Sequence, residues 1–414
     1  MTSTLPSRPA FLDLPTFLPR VTQHDGRAIE QALAGPTLFD RGVKLDGAIV
    51  EATFASESPP LLRRLASENV PQLIDPQTIR FCGGRFLQVE KLRQLPYAPS
   101  APITADGAAA KVADELVRGA LEFQSRAGAA CYIAPAMPYF DRDPGFWLRL
   151  NDRMLAIASA LNGTGEIPWR PLIAQVVPGP RALAEPELII NRLLDHPIDA
   201  VYVQAQRLNP VRDGLEKLAQ YARCLMRLKA EGLPPIAGRV GSFGLVLQAL
   251  GIPSFDSGLN QAEAFDLSSL NRPLTEFEQE RRKRARGGDR RVYFEPLKTT
   301  LKGRHAIAIV ENRTLRGRFT CGLGCCQHRG FEDLADRRRE HYLWVRAHEV
   351  EALRDTPTGA LRIDLVHEQL RDAREHGAAV RRALARGTAD VPDFDHIDRW
   401  IGVLSHEGGL AAAA

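Results

Sequence analysis

Asp75 and Asp256 are the residues best placed to do chemistry. Each closes a short apolar run. Asp75 sits in LIDPQTIRF, where the following proline stiffens the chain. Asp256 sits in IPSFDSGLN, where Gly258 permits a tight turn. An aspartate held in this way can attack as a nucleophile, take a proton as a general base, or merely cap the helix that follows. Other polar side chains stand at equivalent points: Glu51, Gln77, Gln175, Gln204, Arg239 and Ser257. Two carboxylates with several amides suit a planar ligand that both donates and accepts hydrogen bonds, such as a nucleobase. Against this, Asp and Gln at such positions often serve only the neighbouring backbone.

A second constellation lies further along. Cys321, Cys325, Cys326 and His328 read C-x3-C-C-x-H, and His341 falls in a helical pattern over 333–346. Zinc takes four ligands in a tetrahedron, and the expected set is the three cysteines with His341. Gly322 and Gly324 let the loop curl around such a site. A closed four-ligand site would be structural, and a redox-active or unliganded cluster is the alternative. Arg281, Arg282, Lys283, Arg284 and Arg286, with Arg290 and Arg291, put seven basic residues into eleven positions. Such a run is either a solvated face or a surface that neutralises phosphates, and the second reading predicts a nucleic-acid partner.

Positioning these groups requires a scaffold, and the hydrophobic pattern supplies one. Eight apolar runs bounded by turn residues predict strands over 46–52, 71–75, 130–134, 171–177, 200–205, 235–240, 252–257 and 291–297. Most are apolar on both faces, as in a parallel sheet covered by helices. Helical spacing recurs between them over 59–69, 108–126, 145–161, 185–195, 214–231 and 243–250. Eight such units predict a (β/α)8 TIM barrel, whose functional groups gather at the C-terminal strand ends. An open doubly wound sheet is the structural alternative, but no G-x-G-x-x-G follows the first run. Residues 80–106 read as an inserted loop, and loops of that length are often functional.

The order of these motifs resembles the tRNA-guanine transglycosylases over about residues 70–345. LIDPQTIRFCGG resembles that family's first aspartate motif, and PLIAQVVPG its glutamine segment. AGRVGSFGLVLQALGIPSFDSGL resembles its glycine turn, helix and second aspartate run. The resemblance implies a barrel that exchanges a base on RNA or DNA through covalent attack by Asp256 on the ribose C1′. Asp75 would contact the base or manage a proton, and Gln175 would read the heterocycle. Pro76-Gln77 stands where the family has Ser-Gly-Gly, the family's P-T-R after the second aspartate is absent, and the cysteine spacing differs.

The chain is therefore expected to hold a barrel over 1–300 and a basic, zinc-binding helical region over 301–414. Two rival functions stand beside base exchange. One is a barrel enzyme acting on a small molecule; the other is a non-catalytic nucleic-acid-binding protein on a decayed barrel. The N-terminal residues lack a signal-peptide pattern, no apolar stretch is long enough to span a membrane, and the six cysteines show no disulfide framework. A cytoplasmic protein is expected, with a homodimer left open.

Overall fold

The computed structural model describes residues 9–34, 45–105, 109–139, 143–259, 263–284, 290–319, 335–385 and 391–413. Eight parallel strands form one sheet: β1 (Thr16–Val21), β2 (Ala48–Glu51), β3 (Gln72–Asp75), β4 (Tyr132–Ala134), β5 (Leu172–Val176), β6 (Ala200–Val203), β7 (Pro235–Ala237) and β8 (Ser254–Gly258). Their order is β3-β2-β1-β8-β7-β6-β5-β4. A parallel bridge from Leu73 to Cys131 brings the two ends together, so the sheet is a nearly closed barrel. Helices lie between successive strands, among them Ala109–Arg126, Pro144–Thr164 and Leu215–Ala230. The last of these ends at Gly232, whose φ of +80° a side chain would strain.

The eight strands are not quite the eight expected. The run at 291–297 is no barrel strand: its core, β9 (Val292–Phe294), pairs antiparallel with β10 (Thr299–Leu301). The first barrel strand is instead Thr16–Val21, which runs between β2 and β8. Pro19 and Arg20 interrupt its apolar pattern, and a proline argues against a central strand. A buried apolar run such as VYF carries no mark of which sheet it joins.

Alternation along the strands builds two cores. Phe17, Val50, Ile74, Ala174, Val203 and Phe255 face outward into the main cluster shared with the helices. Leu18, Ile49, Leu73, Ile133, Ile173, Tyr202 and Ile236 face inward, with Phe11 and Leu12 in the same cluster. Two residues beyond the inward apolar layer, the pleat returns to the interior. That step places Arg20, Glu51, Asp75 and Gln175 in one layer at the C-terminal mouth.

The C-terminal helices close the outside. Helix Arg338–Asp355 lies against β1, with Tyr342 edge-on to Phe17 at 6.2 Å between ring centroids. Helices Gly359–Leu384 and Asp395–Ala413 pack on each other and on neighbouring barrel helices. A buried charge cluster ties β9 and β10 to the first of these helices. Glu349 accepts hydrogen bonds from Lys298 Nζ at 2.6 Å and Tyr293 OH at 3.0 Å, and pairs with Arg346 at 2.9 Å. Arg346 stacks on Tyr293, 4.6 Å from its centroid. Burial acts to raise the pKa of Glu349, but Lys298 and Arg346 outweigh it and hold the group below the ordinary glutamate range. A depressed carboxylate contributes stability above its unfolded pKa and loses it as pH falls through the folded value. Glu349→Gln is therefore expected to lower stability by about 3 kcal/mol at pH 7 and to flatten the loss of stability on acidification. Urea midpoints followed from neutral to acid pH check it; parallel wild-type and variant curves would contradict it.

Candidate active site at the barrel mouth

Arg20 organises the mouth. It is fully buried, projecting inward from β1 two residues after Leu18. Its Nε donates to Asp256 Oδ2 at 2.7 Å and its Nη1 to Asp75 Oδ2 at 2.8 Å. Its Nη2 donates to the Tyr202 hydroxyl, and Glu51 Oε1 stands 3.7 Å from Nη1. Burial acts to strip the proton from Arg20. The Asp256 carboxylate, followed by Tyr202, Asp75 and Glu51, more than reverses this and fixes the cation. One planar fork thus holds two carboxylates from β3 and β8 in register.

Both carboxylates are further held by the chain. Asp75 Oδ1 accepts from the backbone N–H of Gln77 at 2.9 Å, in a turn where Gln77 takes φ +56°. Asp256 Oδ1 accepts from Tyr202 OH at 3.0 Å and from the Arg239 N–H at 2.8 Å. Burial pushes the Tyr202 phenol well above its ordinary pKa, so it stays a donor to Asp256. The cap reading of Asp256 does not hold, because its side chain serves β1, β6 and the turn after β7.

The amides form a second layer of partners. Gln175 Nε2 donates to Gln204 Oε1 at 3.0 Å, leaving Gln175 Oε1 and Gln204 Nε2 buried without a hydrogen-bond partner. Gln77 Oε1 accepts from the Thr53 N–H at 3.1 Å, while its Nε2 is buried and unpartnered. Gly238 makes room for this layer, since a Cβ there would lie 2.6 Å from Gln204 Cγ. Arg239 reaches across to Glu51 at 3.1 Å and stacks over Phe265 at 5.6 Å.

The structure thus unites Asp75, Asp256, Gln77, Gln175, Gln204 and Arg239 around the mouth. Ser257 is not among them. The pleat turns it outward, where its Oγ lies 3.0 Å from Tyr342 OH, which in turn donates to Glu263 at 2.8 Å. Sequence reasoning missed Arg20 and Tyr202. A lone arginine inside an apolar run was a signal for the first. Tyr202 could have been found by stepping back two residues from Gln204.

The other predicted sites fare unevenly. Cys321, Cys325, Cys326, His328 and Arg286 lie outside the described residues. His341 is buried, with Nε2 2.9 Å from the Tyr293 carbonyl. Among the described residues, no group of three metal-ligating side chains is assembled. Arg281, Arg282, Lys283 and Arg284 form the end of helix Glu276–Arg284, and Arg281 is exposed. That helix follows a segment stitched to the 80–106 insertion, where Leu274 and Gln88 exchange hydrogen bonds of 2.8 and 3.1 Å. Among the described residues, no helix is long and apolar enough to cross a membrane.

Fold and site together define an α/β barrel with a buried, carboxylate-bearing polar layer at its C-terminal mouth. No family model and no curated protein matches the chain. Among solved structures it is similar to a provisionally assigned lyase/mutase from Burkholderia cenocepacia J2315. The identity is 15% and the TM-score 0.33, over 60% of this chain and 80% of that chain. A likeness so slight carries no functional argument.

Proposed function

We propose that the barrel mouth catalyses transglycosylase-like base exchange on RNA or DNA. The observation that carries this reading is the pairing of Asp75 and Asp256 through Arg20 beside amides left with unmet hydrogen bonds. Gln175 Oε1 offers an acceptor and Gln204 Nε2 a donor, the complement of a heterocyclic N–H beside a carbonyl. Gln77 Nε2 adds a donor next to Asp75.

In this reading an Asp256 oxygen attacks C1′ as the C1′–N bond breaks. The electron pair leaves with the base, which departs as its anion. The incoming base gives its ring N–H proton to the Asp75 carboxylate and attacks C1′ as the Asp256–C1′ bond breaks to restore the Asp256 carboxylate; Asp75 then passes that proton to the departed base. Both Asp256 oxygens are hydrogen-bonded at rest, so attack requires one to be released. Asp75 and Glu51, both near Arg20 Nη1, would keep the guanidinium charge matched while its Nε lets go of Asp256. The basic helix ending at Arg284 would bring the polymer to the mouth through its phosphates.

The experiment is incorporation of labelled guanine, or a deazaguanine, into bulk tRNA and into DNA, by wild type and by Asp256→Asn. Aspartate-dependent incorporation supports the reading and names the polymer. Absence of incorporation into either overturns it. One observation favours a second reading, a non-catalytic nucleic-acid-binding barrel: the same saturation of Asp256, which would suit a purely structural carboxylate. Binding of tRNA or DNA that survives loss of both aspartates would mark that case. A small-molecule barrel enzyme would show no nucleic-acid affinity at moderate salt.

Structural zinc on Cys321, Cys325, Cys326 and His341 belongs to the same proposal. Metal-bound histidines usually give their second nitrogen to a carbonyl or carboxylate, and His341 Nε2 meets the Tyr293 carbonyl in that manner. Zinc would then be taken through Nδ1. The expected result is about one zinc per chain by elemental analysis, lost in Cys325→Ser with Cys326→Ser. Metal-free wild-type protein that folds normally would dismiss it.

A further inference from the structure

Beside the mouth lies a cleft of about 370 Å³ lined by Arg207, Leu208, Asn209, Arg239, Phe265 and Asp266, among others. Its walls come from the segments that follow β6, β7 and β8. One edge of the cleft is pinned where Leu208 and Phe265 form an antiparallel bridge, with the Phe265 N–H donating to the Leu208 carbonyl at 2.9 Å.

Two guanidinium groups share this small space. Arg239 is partly satisfied: Nη2 is tied to Glu51 and the face is stacked on Phe265. Its Nε, however, is buried without an acceptor. Arg207 is exposed, and its guanidinium has no hydrogen-bonding or ionic partner among the described residues. Both arginines hold left-handed backbone, at φ +56° and +57°. Such conformations cost of order 1 kcal/mol in a residue with a Cβ, and they turn both side chains from consecutive strand ends toward one place. The carboxylate of the cleft, Asp266, is engaged by the N–H and hydroxyl of Ser268.

We infer that this cleft is an oxyanion subsite for a phosphate group of the substrate, with the guanidinium groups of Arg239 and Arg207 as its donors. Guanidinium edges recognise phosphate by paired, charge-assisted hydrogen bonds, and the apolar walls of Leu208 and Phe265 strengthen them by thinning the surrounding water. Position makes the phosphate a portion of a nucleotide. The backbone N–H of Arg239 already holds Asp256 Oδ1 at 2.8 Å, so an anion on its side chain lies one residue away from the reacting carboxylate. The identity of the ligand as a nucleotide rests on the base-exchange reading; the oxyanion site itself does not.

The test compares guanosine, guanosine 5′-monophosphate and inorganic phosphate by calorimetric titration, on wild type and on Arg207→Gln. Wild type is expected to bind the monophosphate at least about tenfold more tightly than guanosine, and Arg207→Gln to erase most of that difference while leaving guanosine unchanged. Phosphate binding that depends on Arg207, with no guanosine binding, keeps the subsite and removes the nucleoside reading. Equal affinity for the monophosphate and guanosine, or a phosphate affinity indifferent to Arg207, overturns the subsite even if base exchange is observed.

Discussion

Arg20→Leu is expected to lower the stability of the folded chain by about 3–5 kcal/mol, the loss that follows when one partner of a buried ionic set is removed. The reason lies in what remains. Asp75 and Asp256 would face each other in a dry interior with neither the guanidinium between them nor water to replace it. Tyr202 would lose the donor to its hydroxyl, and Glu51 would lose the farther of its two cations and keep Arg239 at 3.1 Å. Leucine fills space comparable to the arginine stem, so the effect reports charge more than cavity. Arg20→Lys should fall between, because an ammonium restores charge but cannot serve Asp75, Asp256 and Tyr202 with one rigid fork. Urea unfolding midpoints measure both variants. An Arg20→Leu variant as stable as wild type would show that the carboxylates are not held as described.

Asp256→Asn is expected to reduce base exchange by at least about a thousandfold, the scale on which enzymes lose a covalent nucleophile. Asparagine has nearly the volume of aspartate and keeps an oxygen able to accept from Tyr202 OH and the Arg239 N–H. Its amide NH2 would face the Arg20 Nε–H, donor against donor, so the melting temperature should fall, while Arg20 keeps its pair with Asp75 at 2.8 Å and the chain still folds. The amide nitrogen is a poor nucleophile and cannot form the ester to C1′. Circular dichroism and a melting curve separate lost chemistry from lost structure. Exchange that continues undiminished in a folded Asp256→Asn variant would remove Asp256 from the mechanism.

How much of this was legible beforehand follows from what each residue type announces. Seven barrel strands declare themselves as short, mostly apolar runs bounded by turn residues. Asp75, Asp256 and the glutamines could be named because a polar residue ending such a run must lie near a strand terminus. Thr16–Val21 escaped because Pro19 and Arg20 mimic a loop, and with the strand went its arginine. The period of two then decided matters that a list of polar residues cannot. Ser257, adjacent to Asp256, had to face the other way, and it meets Tyr342 outside the barrel. The pairing of Arg239 with Glu51 spans 188 residues of chain, and no local pattern encodes it.

The barrel also has a thin seam. Between β3 and β4 the described ladder shrinks to the Leu73–Cys131 bridge and a bond from the Ala130 N–H to the Gln72 carbonyl at 2.8 Å. Higher up, the hydroxyl of Thr78 takes over, donating to the Ala136 carbonyl at 2.9 Å and accepting from its N–H at 3.1 Å. Asp75 stands at the end of the strand on one side of this gap. Level with the mouth, then, the two sides are joined through a side chain rather than through a backbone ladder. Of the eight joints of the barrel this one carries the least backbone pairing, a stave held to its hoop by little, and it stands beside one of the two central carboxylates.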